Sequence, residues 1–98
     1  MAVEHLVLLV LDRKHLTGEQ REDILTLADR VREELDITLE NSVVFSSTPE
    51  AEVVGALSHW HFASQDDLNR FRMSRAHLEH LERMRPVLLD KQIIDRTE

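Results

Sequence analysis

Residues 3–11 read VEHLVLLVL and set the first element of the fold. The run is rich in branched aliphatic residues and stops at the charged DRK, which is typical of a β-strand. Side chains alternate between the two faces of a strand, yet Val7 and Leu9 on one face are matched by Leu6 and Leu8 on the other. A strand with one wet face alternates apolar and polar residues. This strand is therefore predicted to be buried on both faces.

Helix signals follow the strand. Thr17 and Gln20 have the spacing of a capping box, and acidic residues come next, where the helix dipole favours them. Apolar residues then recur at helical spacing, namely Ile24, Leu27, Ala28, Val31 and Leu35. These signals predict a helix over residues 18–35.

The other elements are predicted from similar patterns. Strands are predicted over residues 38–46, 53–62 and 87–95, with a bulge at Gly55 in the middle one and a polar turn over 47–52. Ser64 and Ser74 are candidate N-caps of two short helices. Pro86 is predicted to end the second of them, because the residue before a proline disfavours helix.

The order of elements is β-α-β-β-α-β, with the second helical part broken in two. It predicts an α+β, ferredoxin-like single domain over residues 1–98, a four-stranded antiparallel sheet with helices on one face. Because the helices cover only one face, the apolar second face needs another partner. We predict a homodimer packed sheet against sheet, which makes a dimeric α/β barrel.

Composition excludes several functions. The net charge of -7 argues against a nucleic-acid partner, and no apolar run approaches the ~20 residues of a membrane helix. The chain has no cysteine, which fits a cytoplasmic protein and excludes thiolate chemistry. It also has no Gly-rich phosphate loop, so we expect no nucleotide or other cofactor.

Three stretches together resemble a known family: VEHLVLLVL at 3–11, HFASQDDLNRF at 61–71 and RAHLEHLERMRPVLLDKQIID at 75–95. In order and spacing they are similar to the stress-responsive dimeric α/β-barrel (Dabb) family, which includes the olivetolic acid cyclase-like polyketide cyclases. The resemblance implies a sheet-to-sheet dimer and a hollow between each sheet and its own helices.

The resemblance also implies site residues. His77 stands at the position of the cyclases' general base, and His5 at that of a pocket histidine on the first strand. The tyrosine that assists the base is replaced here by Phe71, and a third-strand histidine by Ala56. Two groups of that particular cyclase chemistry are therefore missing.

The chemistry of these residues suits proton transfer. His77 is predicted near the start of a helix, where the dipole disfavours imidazolium and keeps the ring neutral. A neutral imidazole is a suitable general base beside a carbonyl group, and His5 would assist it. The substrate-binding residues predicted around them are Trp60, Phe71, Ser58, His80 and Leu9. Ordinary core packing is the alternative for the aromatic residues, and an exposed helix position is the alternative for His80.

His59 and His61 form a His-x-His pattern on the third predicted strand, so both rings lie on one face. Such pairs ligate metals in other proteins. Trp60 and Phe62 alternate with them and are predicted to face the helices, which turns the two histidines toward the dimer side. We therefore predict no metal site in the single chain, but interface histidines that make the dimer sensitive to pH; a metal ion shared across the two-fold axis is the alternative.

The sequence thus predicts a cofactor-free cyclase, isomerase or lyase that acts on a polyketide-like or aromatic carbonyl compound. The alternatives are a non-catalytic stress-responsive or ligand-binding barrel and a cofactor-free monooxygenase of the related dimeric barrels. A cavity that reaches both His77 and His5 would favour an enzyme.

Overall fold

A computed structural model describes residues 1–48 and 50–97, and within them four strands and three helices follow the predicted order. The strands are β1 (Val3–Asp12), β2 (Leu39–Ser46), β3 (Val53–Phe62) and β4 (Leu88–Thr97); the helices are α1 (Gly18–Glu34), α2 (Gln65–Met73) and α3 (Arg75–Met84). The strands form one antiparallel sheet in the order β2-β3-β1-β4. The predicted ferredoxin-like fold is confirmed.

The three predicted helix starts are confirmed by their caps. Thr17 Oγ1 accepts from the Gln20 N–H at 3.1 Å, and Gln20 Oε1 accepts from the Thr17 N–H at 2.9 Å. Ser64 and Ser74 each accept from the backbone N–H three residues on, at 3.1 Å. Each such cap contributes about 1 kcal/mol. The first helix ends at Glu34, because the next residue has an extended backbone.

Other predicted boundaries shift slightly. β2 begins at Leu39, and β4 begins after a short 3-10 turn, Arg85–Val87, that contains Pro86 and ends α3 as predicted. The turn predicted over 47–52 includes Pro49, which lies outside the described residues. The Ala51 N–H donates to the Thr48 carbonyl at 3.1 Å.

The predicted bulge at Gly55 is wrong. Gly55 pairs in unbroken register with Val10 on one side and Ser46 on the other. Its φ is not positive, and a Cβ there would make only ordinary contacts, so the backbone does not need glycine at this position. The irregular pairing lies instead between Val10 and Leu11, against β4.

The two faces of the sheet differ as the strand alternation predicts. Trp60 and Phe62 are buried under the helices, and His59 and His61 lie on the opposite, open face. Apolar residues on that open face are Leu6, Leu8, Val10, Val44, Leu57 and Ile94. Val44 and Ile94 are 61% and 62% exposed, so a large apolar surface of this single chain faces solvent.

Candidate active site

A cavity of about 70 Å³ lies between the sheet and the helices. It is lined by residues of β1, β3 and β4 from the sheet and of all three helices. Every predicted site residue lines this one cavity, namely His77, His5, Trp60, Phe71, Ser58, His80 and Leu9. The structure thus brings together the two histidines that the sequence places in β1 and α3.

His77 is held by the start of α3 and by a carbonyl group. Its Nδ1 lies 3.0 Å from the carbonyl oxygen of Arg72. Because a carbonyl oxygen only accepts, Nδ1 carries the proton and Nε2 of the neutral ring keeps its lone pair. Burial lowers the pKa of His77, and the hydrogen bond to Arg72 opposes this in part. The ring is kept neutral as predicted, but burial is the largest cause.

His5 is held by the last strand. It lies opposite Asp95 in the β1–β4 register, and its Nδ1–H donates to Asp95 Oδ1. The second carboxylate oxygen accepts from Arg72 Nη2 at 2.5 Å. Burial lowers the pKa of His5, against the effect of Asp95. Burial acts to raise the pKa of Asp95, but the hydrogen bonds and charges of His5 and Arg72 outweigh it and lower that pKa.

His80 is a third cavity histidine, and the exposed position considered for it is wrong. It is 6% exposed, because it follows His77 by three residues and lies on the same face of α3. Its Nδ1 lies 2.6 Å from Asp23 Oδ2 of α1. Asp23 also binds Arg83 at 2.7 Å and Arg30 at 2.9 Å. Burial lowers the pKa of His80, and Asp23 opposes this.

Phe71 contacts both predicted catalytic histidines. Its ring centroid lies 4.5 Å from that of His77 and 6.0 Å from that of His5. It also lies 4.6 Å from Trp60, so both aromatic residues belong to the core and to the cavity wall at once. Ala56 does not line the cavity itself, but it packs in one core cluster with Leu9, Ile24 and Met84, which do.

Four charged residues of the site were missed from the sequence: Asp95, Arg72, Lys91 and Asp23. Strand alternation could have identified the two residues of β4. Lys91 and Asp95 are each two residues from Ile93, so all three side chains lie on the helix-covered face. Burial lowers the pKa of Lys91. Asp23 is one of the acidic residues that follow the Thr17–Gln20 capping box, yet unlike an ordinary charged residue near a helix start it is buried.

Two further properties of the described residues concern metal binding and the membrane. Among residues 1–48 and 50–97, no group of three or more His, Cys, Asp or Glu side chains is arranged to hold a metal ion. His59 Nε2 lies 3.8 Å from Glu4 Oε2 on the open face. Within the same residues, every helix is too short or too polar to cross a bilayer.

Comparisons with known proteins support the fold. No protein-family model and no curated protein matches the sequence. A dabb family protein with a ferredoxin-like fold from Mesorhizobium loti matches at 16% identity and a TM-score of 0.69, over 99% of this chain and 96% of that one. A dimeric ferredoxin-like protein of unknown function from Bacteroides fragilis matches with the same identity, coverage and TM-score.

A third match is SnoaB, a cofactor-independent oxygenase from Streptomyces nogalater, at 10% identity and a TM-score of 0.73, over 99% of this chain and 92% of that one. At such low identities these likenesses establish the fold that the proteins share. They agree with the predicted resemblance to the Dabb family.

Proposed function

We propose that this chain forms a homodimeric α/β-barrel enzyme of the Dabb type that moves protons beside a carbonyl group without a cofactor. In this proposal His77 is the general base and His5 the second proton carrier. One observation carries it: the buried imidazole of His5 and the half-buried imidazole of His77 line one cavity, and each is fixed through Nδ1–H so that Nε2 is free to accept a proton. A cyclisation, isomerisation or lyase step on a polyketide-like or aromatic compound fits this chemistry.

The surroundings of each ring suit its role. His77 Nε2 removes a proton from the carbon beside the carbonyl, and the Arg72 carbonyl that holds Nδ1–H also favours the imidazolium that forms. Asp95 does the same for His5, so the base-form ring of His5 can take over this proton from the His77 imidazolium and return it to the substrate. Burial keeps both pKa values below the ordinary histidine value, so both rings are in the base form near neutral pH.

The size of the cavity sets how the substrate enters. Its volume of about 70 Å³ is smaller than the cavity of about 150 Å³ that accepts benzene in another protein. A whole polyketide does not fit in this space. We propose that the reacting carbonyl end enters the cavity and that the remainder extends past Ile93, a lining residue that is 49% exposed.

The homodimer part of the proposal is supported by the open face of the sheet. Val44 lies opposite Leu57, and Leu6 lies opposite Ile94, so the apolar side chains form a continuous patch across all four strands. A patch of this kind usually marks an interface. The Bacteroides fragilis protein of the same fold is dimeric. The cytoplasmic location expected from the lack of cysteine belongs to the same proposal.

A cofactor-free monooxygenase is the second candidate, because the fold is shared with the oxygenase SnoaB. The same base would form the substrate carbanion, which then reacts with dioxygen. Oxygen consumption with an aromatic polyketide distinguishes this candidate from a cyclase or isomerase, which needs no dioxygen.

The experiment measures deuterium exchange at the α-carbons of acetone and acetophenone in D2O by NMR. The wild-type protein is expected to accelerate exchange over buffer, and His77→Ala to lower the enzymatic rate by about 10²-fold or more. His15→Ala is the matched control, because the His15 side chain is 65% exposed and does not line the cavity. A folded His77→Ala protein with the full exchange rate would contradict the role of His77. A wild-type protein that accelerates neither ketone's exchange would favour the non-catalytic barrel.

A further inference from the structure

Lys91 is a cavity residue for which the proposed proton transfer has no use. It lies in β4 opposite Leu9, on the helix-covered face, and its side chain is half-buried in the cavity wall. The chain has only one other lysine, Lys14, which is exposed after β1. Lys91 is thus the one lysine placed where a substrate would bind.

Within residues 1–48 and 50–97, no carboxylate serves as counter-ion to the ammonium group of Lys91. Across residues 1–48 and 50–97 it makes no ion pair and no hydrogen bond, and the two carboxylates behind the cavity histidines are already engaged. Asp95 is held by His5 and Arg72, and Asp23 by His80 and two arginines. The cavity therefore contains a cation that this part of the chain leaves uncompensated.

The position of Lys91 relative to the histidines is also informative. Its positive charge contributes to lowering the pKa of His5, of His77 and of His80. Lys91 lines the same cavity as these three rings, which accounts for the effect of its charge on them. Apolar residues such as Leu9, Leu88 and Ile93 form the wall beside it. A half-buried charge in such surroundings is costly unless an anion joins it.

We propose that Lys91 binds a carboxylate of the substrate, so that the end of the substrate that enters the cavity is a short oxo acid, a carbonyl group beside an acid group. The carbonyl part of this inference rests on the proposed function, whereas the carboxylate part rests on Lys91 alone. A short acid also suits a cavity of about 70 Å³. Bound in this way, it places its carbonyl carbon among the three histidines.

The test compares pyruvate with pyruvamide, which has nearly the same shape and no charge. Binding is followed by NMR titration of the histidine ring signals. The wild-type protein is expected to bind pyruvate about tenfold more tightly than pyruvamide, as for a partly buried ion pair. Lys91→Met is expected to remove this preference, and Lys14→Met, the matched control, to keep it. Pyruvate is also expected to raise the pKa of the cavity histidines, measured through their ring signals, because its carboxylate neutralises the charge of Lys91.

Equal binding of the two compounds, no binding of pyruvate, or a preference that survives Lys91→Met would each overturn the inference. Its failure is distinguishable from failure of the proposed function. If exchange of acetone protons depends on His77 but pyruvate is not preferred, only the carboxylate site is wrong. If pyruvate is preferred through Lys91 but the protein accelerates no exchange, the carboxylate site stands and the catalytic role of His77 is wrong.

Discussion

The two faces of the sheet depart in opposite ways from the usual placement of polar and apolar side chains. The helix-covered face buries His5 and, beneath α3, His80 with its carboxylate Asp23. The open face exposes Val44 and Ile94. Exposed single apolar residues are common, whereas buried titratable groups and large exposed apolar patches are not. This difference supports the proposal that the covered face holds a reacting molecule and that the open face is covered by a second copy of the chain.

The largest expected effect is a loss of stability when the aromatic cluster of the helix-covered face is disrupted. Phe71 is 1% exposed and contacts Trp60, Phe62 and His77. Phe71→Ala is expected to lower the free energy of unfolding by about 3–5 kcal/mol, because it leaves a void under the helices. Urea denaturation measures the change. Leu25→Ala, at a residue that is 49% exposed on α1, is expected to change it by less than about 0.5 kcal/mol. Similar losses for the two variants would mean that the covered face is not the core.

The next largest expected effect is weaker dimerisation when a charge is placed on the open face of the sheet. Leu57→Asp is expected to weaken the dimer by about 100-fold, because two-fold symmetry buries the new carboxylate twice in an apolar interface. Sedimentation velocity over a range of concentrations measures this. Leu25→Asp, which adds the same charge on the helical side, is expected to leave the dimer intact. A wild-type protein that is monomeric at micromolar concentration would refute the interface.

The smallest effect is the pH dependence of the covered face. Burial lowers the pKa of His5, His77 and His80 from 6.5, so the unfolded chain binds protons more readily than the folded one. Their contribution to stability is fully present above pH 6.5 and is lost as the pH falls through the lowered values. Each histidine adds a slope of at most about 1.4 kcal/mol per pH unit.

Midpoints of urea denaturation, measured at several pH values between about 8 and about 5, check this dependence of stability on pH. His77→Gln removes one of the three groups and is expected to flatten the curve, while His15→Gln is expected to leave its shape unchanged. A stability that is constant over this range would show that the cavity histidines are not desolvated in solution.

Much of the fold could be predicted because its signals are local. The capping residues Thr17, Ser64 and Ser74 satisfy backbone groups within the next three residues, so the sequence alone contains both partners. Strand alternation likewise placed Trp60 on the covered face and His59 on the open one. The bulge was assigned wrongly because a glycine in a strand does not by itself require an irregular backbone, as Gly55 shows.

The site was only partly predictable. His77 and His5 came from the family resemblance, and their shared cavity follows from the fold. Their charged partners could not be read from spacing, because Asp95 is 90 residues from His5 and meets it only through the β1–β4 register. The burial of His80 depends on how α3 is rotated against α1, which side-chain packing sets. Neither the β1–β4 register nor the rotation of α3 against α1 can be read from local sequence patterns.

The pairing of His5 with Asp95 also has a consequence for biosynthesis. A ribosome delivers the first strand long before the last one, so a growing polypeptide holds the imidazole while its carboxylate partner does not yet exist. The wall of the cavity is complete only once β4 has emerged and paired with β1. Premature termination anywhere before that strand would thus yield a fragment that lacks both Asp95 and Lys91.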